Sequence, residues 1–316
     1  MRRGADEGAM GVRPGTEEAA MVAQRNGEGP VTGGQPGTEG AAASVPRDAQ
    51  PRVGCSVDAD GRITFGLEVP SATRPQLLLR LRPKKGQPEK TVHLLDLEPA
   101  GDDRRRAVLE PTPVLAEGRW DVYLIGEPGA ERQRLRPGLR DLRALVDGNL
   151  RDRPSPVAVR IPYVTKDGHL ALRSWLRPAH AEADGIVGST RSATTTVRAR
   201  LHGASLSEGA AVRLRLRGGG GVVRTLRAQA EADGRTFSFT VDYAELVTGG
   251  GSGNRVWDVF VQPDAEAPLV RVGRLLDDVA DRKEIFVYPA ATVGDAVVRP
   301  YYTVDNDLAV EVRTAG

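Results

Sequence analysis

Near the end of the chain stands Asp305-Asn306-Asp307. This Asp-x-Asp arrangement is one that many sugar-nucleotide transferases use to hold a divalent cation, because hard cations take carboxylate oxygens. The surrounding residues redirect that reading. Pro300-Tyr301-Tyr302-Thr303-Val304-Asp305-Asn306-Asp307-Leu308-Ala309 has a counterpart 138 positions earlier, Pro162-Tyr163-Val164-Thr165-Lys166-Asp167-Gly168-His169-Leu170-Ala171. Asp167-Gly168-His169 occupies the place of the acid pair. Gly168 and Asn306 share a tolerance for positive φ, which suits a two-residue hairpin turn. The sequence predicts a turn, with metal binding by Asp305 and Asp307 as the competing expectation.

Gly218-Gly219-Gly220-Gly221 and Gly249-Gly250-Gly251-Ser252-Gly253 lack the Gly-Lys-Ser/Thr ending of a phosphate loop and the Gly-x-Gly-x-x-Gly spacing, so both are expected as connectors. His93, His169, His180 and His202 never fall at metal-ligand spacing. No Gly-x-Ser-x-Gly nominates a nucleophile for a Ser/His/Asp site. Asp102-Asp103 and Asp277-Asp278 are placed in loops or at a helix start, solvated. Cys55 is the single cysteine, which removes any internal disulfide or Cys-based zinc site. The sequence therefore assigns no catalytic residue, no metal ligand and no cofactor.

Binding is the chemistry that remains. Leu79-Arg80-Leu81-Arg82 and Leu214-Arg215-Leu216-Arg217 alternate, so Arg80, Arg82, Arg215 and Arg217 line an outer sheet face. Such a face is solvated by default, and a polyanion-binding face is the sharper expectation. Tyr163, Tyr301 and Tyr302 sit near a strand edge and are expected as surface contacts, and Trp175 looks exposed. Trp120 and Trp257 are expected in the core, with sugar stacking as the alternative.

The elements that must position these residues are strands. Arg62 to Val69, Leu77 to Arg82, Thr91 to Leu97, Arg106 to Leu109 and Arg119 to Ile125 alternate polar and apolar residues, and two more strands run from Val157 to Tyr163 and from His169 to Trp175. Leu139, Leu142, Leu145 and Val146 have helical spacing and predict one short helix. The arginine rows repeat at 135 positions, Trp120-Asp121-Val122 and Trp257-Asp258-Val259 at 137, and the closing hairpins at 138. Anchors in one order at nearly one spacing predict an internal duplication. The expected fold is all-β, two tandem antiparallel immunoglobulin-like β-sandwiches. The expected division is a disordered tail over 1–51, module 1 over 52–176, a polar linker over 177–193 and module 2 over 194–316.

The 316 residues suffice for about two domains of ~100–200 residues each. No Leu precedes Leu67 and no aromatic precedes Phe65, so the first 51 residues lack the apolar surface to offset chain entropy. A net charge of +2 demands no nucleic-acid partner. No apolar run approaches the ~18 residues of a membrane span, and the paired arginines at the start lack the apolar region of a secretion signal, so a cytoplasmic protein is expected.

The two closing hairpins, together with Arg119-Trp120-Asp121-Val122-Tyr123 and Val256-Trp257-Asp258-Val259-Phe260, resemble the β-sandwich accessory modules of actinobacterial family 2 glycosyltransferases and of glycerophosphotransferases of wall teichoic-acid type. The resemblance spans roughly residues 53–316 under the two-domain length expectation. It implies a non-catalytic accessory or binding role beside a separate glycosyltransferase domain, with that enzyme or an anionic wall polymer as partner. Two other readings stand beside it: a transferase of glycosyl or glycerophosphate groups in its own right, and a self-assembling structural module that forms homo-oligomers.

Overall fold

The computed structural model describes residues 50–69, 74–83, 86, 88, 92–101, 103–127, 129–148, 155–248 and 253–314. The tail expected over 1–51, all but its last two residues, lies outside the described residues, as do Asp102 and residues 249–252. Val45–Gly316 is one compact unit.

The protein is all-β, as the alternation predicts. The first half contributes β1 (Arg52–Val57), β2 (Ile63–Glu68), β3 (Gln76–Leu81), β4 (Val92–Asp96), β5 (Glu98–Pro99), β6 (Arg104–Leu109), β7 (Gly118–Ile125), β8 (Gln133–Arg134), β9 (Arg136–Asp141), β10 (Val157–Val164) and β11 (Leu170–Arg177). They form a sheet ordered β5-β6-β2-β1-β9 and a second ordered β10-β11-β7-β3-β4, with β8 paired to β7. The second half contributes β12 (His180–Ser189), β13 (Thr194–His202), β14 (Ala211–Leu216), β15 (Val223–Arg227), β16 (Gln229–Ala230), β17 (Thr236–Asp242), β18 (Arg255–Gln262), β19 (Val270–Gly273), β20 (Ala291–Val293), β21 (Ala296–Tyr302) and β22 (Leu308–Thr314).

The pairings of the halves follow one order, apart from β20, which has no counterpart in the first half, and β8, which has no strand of its own in the second. The path β16-β17-β13-β12-β19 matches β5-β6-β2-β1-β9, and β21-β22-β18 with β14 and β15 matches β10-β11-β7-β3-β4. In each half the chain after the tryptophan strand changes sheets. β8 pairs with β7 and β9 runs parallel to β1, whereas β19 does both jobs, antiparallel to β18 and parallel to β12. Period-two alternation then fills each interior: Trp120, Val122 and Leu124 face the first core, and Trp257, Val259 and Val261 the second.

Three expectations need correction. The stretch 177–193 is no linker: only Pro178 and Ala179 separate β11 from β12, which pairs with β13 along its length. Ala181 and Ala183 enter the second core, so small residues, which look like a spacer in sequence, pack here. The helix predicted around Leu139 shrinks to Arg143–Val146, because residues 136–141 are taken by pairing with β1. The hairpin turns hold three residues rather than two. Thr165 N donates to His169 O and Gly168 N to Thr165 O, with Thr303, Asp307 and Asn306 repeating the pattern, and Gly168 and Asn306 take φ of 78° and 60°.

The halves meet through an insertion. Leu275, Leu276 and Ala280, which follow β19, belong to the apolar cluster of the first half. The Asn306 side chain anchors this loop, its Oδ1 accepting from Arg282 N at 3.1 Å and its Nδ2 donating to Val279 O at 2.9 Å.

Candidate functional site

Alternation along β7 sends Trp120 inward and Asp121 outward, yet Asp121 is only 2% exposed. A carboxylate held away from water is costly unless paired and hydrogen-bonded. Three guanidinium groups meet it. Arg82 approaches at 2.7 Å, Arg134 at 3.1 Å and Arg80 at 3.3 Å. The hydrogen bond to Asp121 holds the Arg82 pKa above its ordinary value. Arg80 and Arg134 also lie over the Tyr123 ring, 5.1 and 5.7 Å from its centroid.

The second half builds the same station with one change. Asp258 pairs with Arg217 at 2.6 Å and with Arg271 at 3.2 Å, and Arg271 reaches Asp307 at 3.1 Å. Burial pushes the Asp258 carboxyl up, but the Arg217 hydrogen bond and the charge of Arg271 outweigh it and leave the pKa below the ordinary value. Register places Arg215 opposite Asp258, as Arg80 is opposite Asp121. Arg215 turns instead over Phe260, 5.8 Å from its centroid. Among the described residues it meets no carboxylate. Arg213, on the same face, is held by Gln262 Oε1 at 3.0 Å and by Thr225. With Arg177, which reaches Asp307 at 2.7 Å, five guanidinium groups thus stand against Asp258 and Asp307. A guanidinium has five N–H donors, so arginines braced by one buried carboxylate keep donors turned outward. Such an arrangement offers guanidinium donors to an anionic group.

The other predicted residues are dispersed. Trp175 is fully buried at the junction of the halves, its Nε1 donating to Asp305 O at 3.0 Å with the Arg173 guanidinium 4.9 Å from its ring, which corrects its expected exposure. Tyr302 is likewise buried, against Phe286 and Tyr288, and is no surface contact. Tyr163 packs partly against the first core, with Arg119 5.9 Å from its ring. Tyr301 is half-buried, and burial raises its phenol pKa. Asp305 and Asp307 of the Asp-x-Asp motif are ion-paired across the junction, to Arg173 at 2.5 Å and Arg177 at 2.7 Å. Asp277 pairs with Arg274 at 3.2 Å and with Arg282, so it is no solvated carboxylate. Sequence reasoning missed Asp121, Asp258, Arg134 and Arg271. The repeated Trp-Asp-Val carried the signal for the aspartates, since an acid kept on the same strand in both halves marks a station as well as the tryptophan marks a core.

No known family's model matches the chain. No curated protein matches it. Among solved structures it is similar to residues 217–571 of S. aureus TarS, at 15% identity and a TM-score of 0.27, covering 60% of this chain and 55% of that one. The chain thus spans about half the length of that structure. It is also similar to a tetra-tandem repeat in the extending region of a large adhesion protein, at 10% identity and a TM-score of 0.19 over 84% of this chain and 63% of that one. Dimeric latent PorU from Porphyromonas gingivalis matches at 11% identity and 0.19, over 84% and 28%.

Proposed function

We propose that this chain is a non-catalytic binding protein, two copies of one immunoglobulin-like sandwich that hold an anionic polymer for a cell-envelope polysaccharide or teichoic-acid transferase on the cytoplasmic side. The observation that carries the reading is the surplus of guanidinium over carboxylate at the second-half station, where Arg213 and Arg215 of β14 alternate with Arg217 just past its end. Strand geometry spaces such residues by about 6.6–6.8 Å, so successive phosphates of an extended chain can each meet one cation. The resemblance of the hairpins and tryptophan strands to transferase-associated modules supports the same reading.

The transferase alternative needs free carboxylates, and Asp305 and Asp307 are engaged by Arg173 and Arg177, which favours binding over catalysis. Among the described residues no helix is long and apolar enough to cross a membrane.

The test is binding of long poly(glycerol phosphate) to the full chain by interferometry over a series of salt concentrations. Arg213→Glu with Arg215→Glu should weaken binding at least about tenfold and lower the slope of log K against log salt by roughly one for each phosphate no longer neutralised. Unchanged affinity and slope, with a native circular dichroism spectrum, would reject the reading.

A further inference from the structure

Only Pro178 and Ala179 connect the two halves, and two histidines lie against that connection. Alternation along β12 turns Ala181 and Ala183 into the second core and leaves His180 and Glu182 on the outer face of their sheet. Pairing of β12 with β13 sets His202 directly opposite His180 on that face. Side chains so placed have Cβ atoms about 4.5–5.5 Å apart. The first half covers them. His180 is fully buried, and His202, 8% exposed, lines a cleft of about 620 Å³ with Asp60, Arg62 and the start of β10 from the first half and Leu276 of the inserted loop.

The connection is held from both sides. The Ser155 hydroxyl donates to Pro178 O, and a Cβ on Gly203 would lie 2.5 Å from that oxygen and 2.9 Å from Ser155 Oγ. Gly203 also takes a φ of 75°, so a residue without a side chain lets β13 end beneath the connection.

The charges around the pair provide for one proton and not for two. Among the described residues Glu182 is the one carboxylate hydrogen-bonded to either ring, at His180 Nε2, and it also accepts from the amides of Leu275 and Leu276. His180 Nδ1 is buried without a partner. Around His202, Arg200 pairs with Asp233 at 2.7 Å and Asp184 stands 3.8 Å from Arg198. Across the cleft Asp60 lies beside Arg62, which is held by Asp58 and Glu110. One carboxylate therefore serves two imidazoles, and a second imidazolium beside the first is disfavoured by burial and by like charge.

We propose that His180 and His202 form a proton-operated latch: a second proton on the pair opens the cleft and releases the first half from the outer face of β12 and β13, while both cores stay folded. Burial and then the neighbouring His180 hold the His202 pKa below 6.5 in the closed arrangement. Opening returns the ring to water, where it takes the proton at its ordinary value. The ratio of open to closed molecules should rise up to about tenfold for each pH unit below about 6.5, levelling off below the closed-state value. The latch uses no residue of the arginine stations, so it stands or falls apart from the proposed function.

The test is hydrogen exchange of the full chain at pH 7.5, 6.0 and 5.0, read by mass spectrometry and corrected for intrinsic exchange rates. Peptides carrying Leu275, Leu276 and the start of β10 should exchange about tenfold faster at pH 5.0 than at pH 6.0, while β7 and β18 keep their protection. His202→Gln should hold the junction closed at pH 5.0, and His93→Gln, away from the junction, should behave as the native chain. Where His202→Gln does not fold, the ring carbon resonance of His202 in the native chain decides, since it must titrate over the pH range in which the junction opens. Three results overturn the latch: junction protection unchanged down to pH 5.0, loss of protection in β7 and β18 to the same extent, or opening of folded His202→Gln at the native pH. A His202 resonance that titrates outside the opening range overturns it as well.

Discussion

Glu182 offers the sharpest test of how the halves are joined. It is 3% exposed, and its carboxylate accepts from Leu275 N at 2.7 Å, Leu276 N at 3.1 Å and His180 Nε2 at 2.8 Å. Those two amides head the loop whose apolar side chains complete the first core, so one carboxylate of the second half holds the plug of the first. Glu182→Ala strands two buried amides and an imidazole, and removing one partner of such a buried charged network costs about 3–5 kcal/mol. For a chain of this size that lowers Tm by about 10 °C. Glu182→Gln keeps one acceptor oxygen but turns an NH2 toward donors, so it should lose less than the alanine. Burial pushes the Glu182 carboxyl up, yet the His180 hydrogen bond and charge and the two amides more than offset it, and its pKa lies below the ordinary 4.5. The folded state therefore favours the charged form. The stabilisation is complete above about pH 4.5, the unfolded value, and is lost as pH falls through the lower folded value. Urea melts at pH 7 and pH 4 measure both effects. A Glu182→Ala protein within about 1 kcal/mol of native would refute the argument.

Other outcomes follow from the same geometry. Burial, then the neighbouring His180 and Arg200, lowers the His202 pKa from 6.5, against the opposing charges of Glu182 and Asp184; His202 lines a cleft of about 620 Å³ together with Asp60 and Arg62. The unfolded chain thus binds the proton more readily, so stability should fall as pH drops below about 6.5, and His202→Gln should flatten that part of the pH profile in thermal melts. Asp121→Ala should destabilise by about 3–5 kcal/mol, leaving three arginines around an empty buried site, and Asp258→Ala by less, because its side chain is 17% exposed against 3%. Chemical denaturation of the two variants side by side checks the order. Trp175→Ala should cost about 3–5 kcal/mol and leave both halves sensitive to protease near the junction, which limited proteolysis reads directly.

How much of the molecule is legible in its sequence depends on what kind of order each feature has. Strands announce themselves through period two, so β2, β3, β7, β10 and β11 are found within a residue or two of their predicted ends. The echo of Pro162-Tyr163 in Pro300-Tyr301 identified the turn, and positive φ at Gly168 and Asn306 is the physical reason it could. Residues whose partners come from elsewhere in the chain leave no such trace. Nothing local distinguishes Trp175 on a solvent face from Trp175 under the second half, and nothing local tells that Arg173 and Arg177 await Asp305 and Asp307. Gly54 and Gly66 are equally silent, since two glycines 12 positions apart come to face each other only when β1 and β2 pair them.

The difference between the halves becomes intelligible at that junction. The register Val159↔Trp175 and Ile161↔Arg173 of the first half recurs as Val297↔Arg313 and Arg299↔Glu311 in the second. In the first half these positions are buried beneath the inserted loop. In the second they carry an ion-paired row, with Glu311 3.1 Å from Arg299 and 3.0 Å from Arg313. An apolar face with nothing to cover it invites aggregation. Replacement of Trp175 and Ile161 by arginine at the corresponding positions supplies a polar face instead. The asymmetry between the two halves follows from what each of these faces meets: in the first half the loop after β19 covers it, and in the second it carries the ion-paired row.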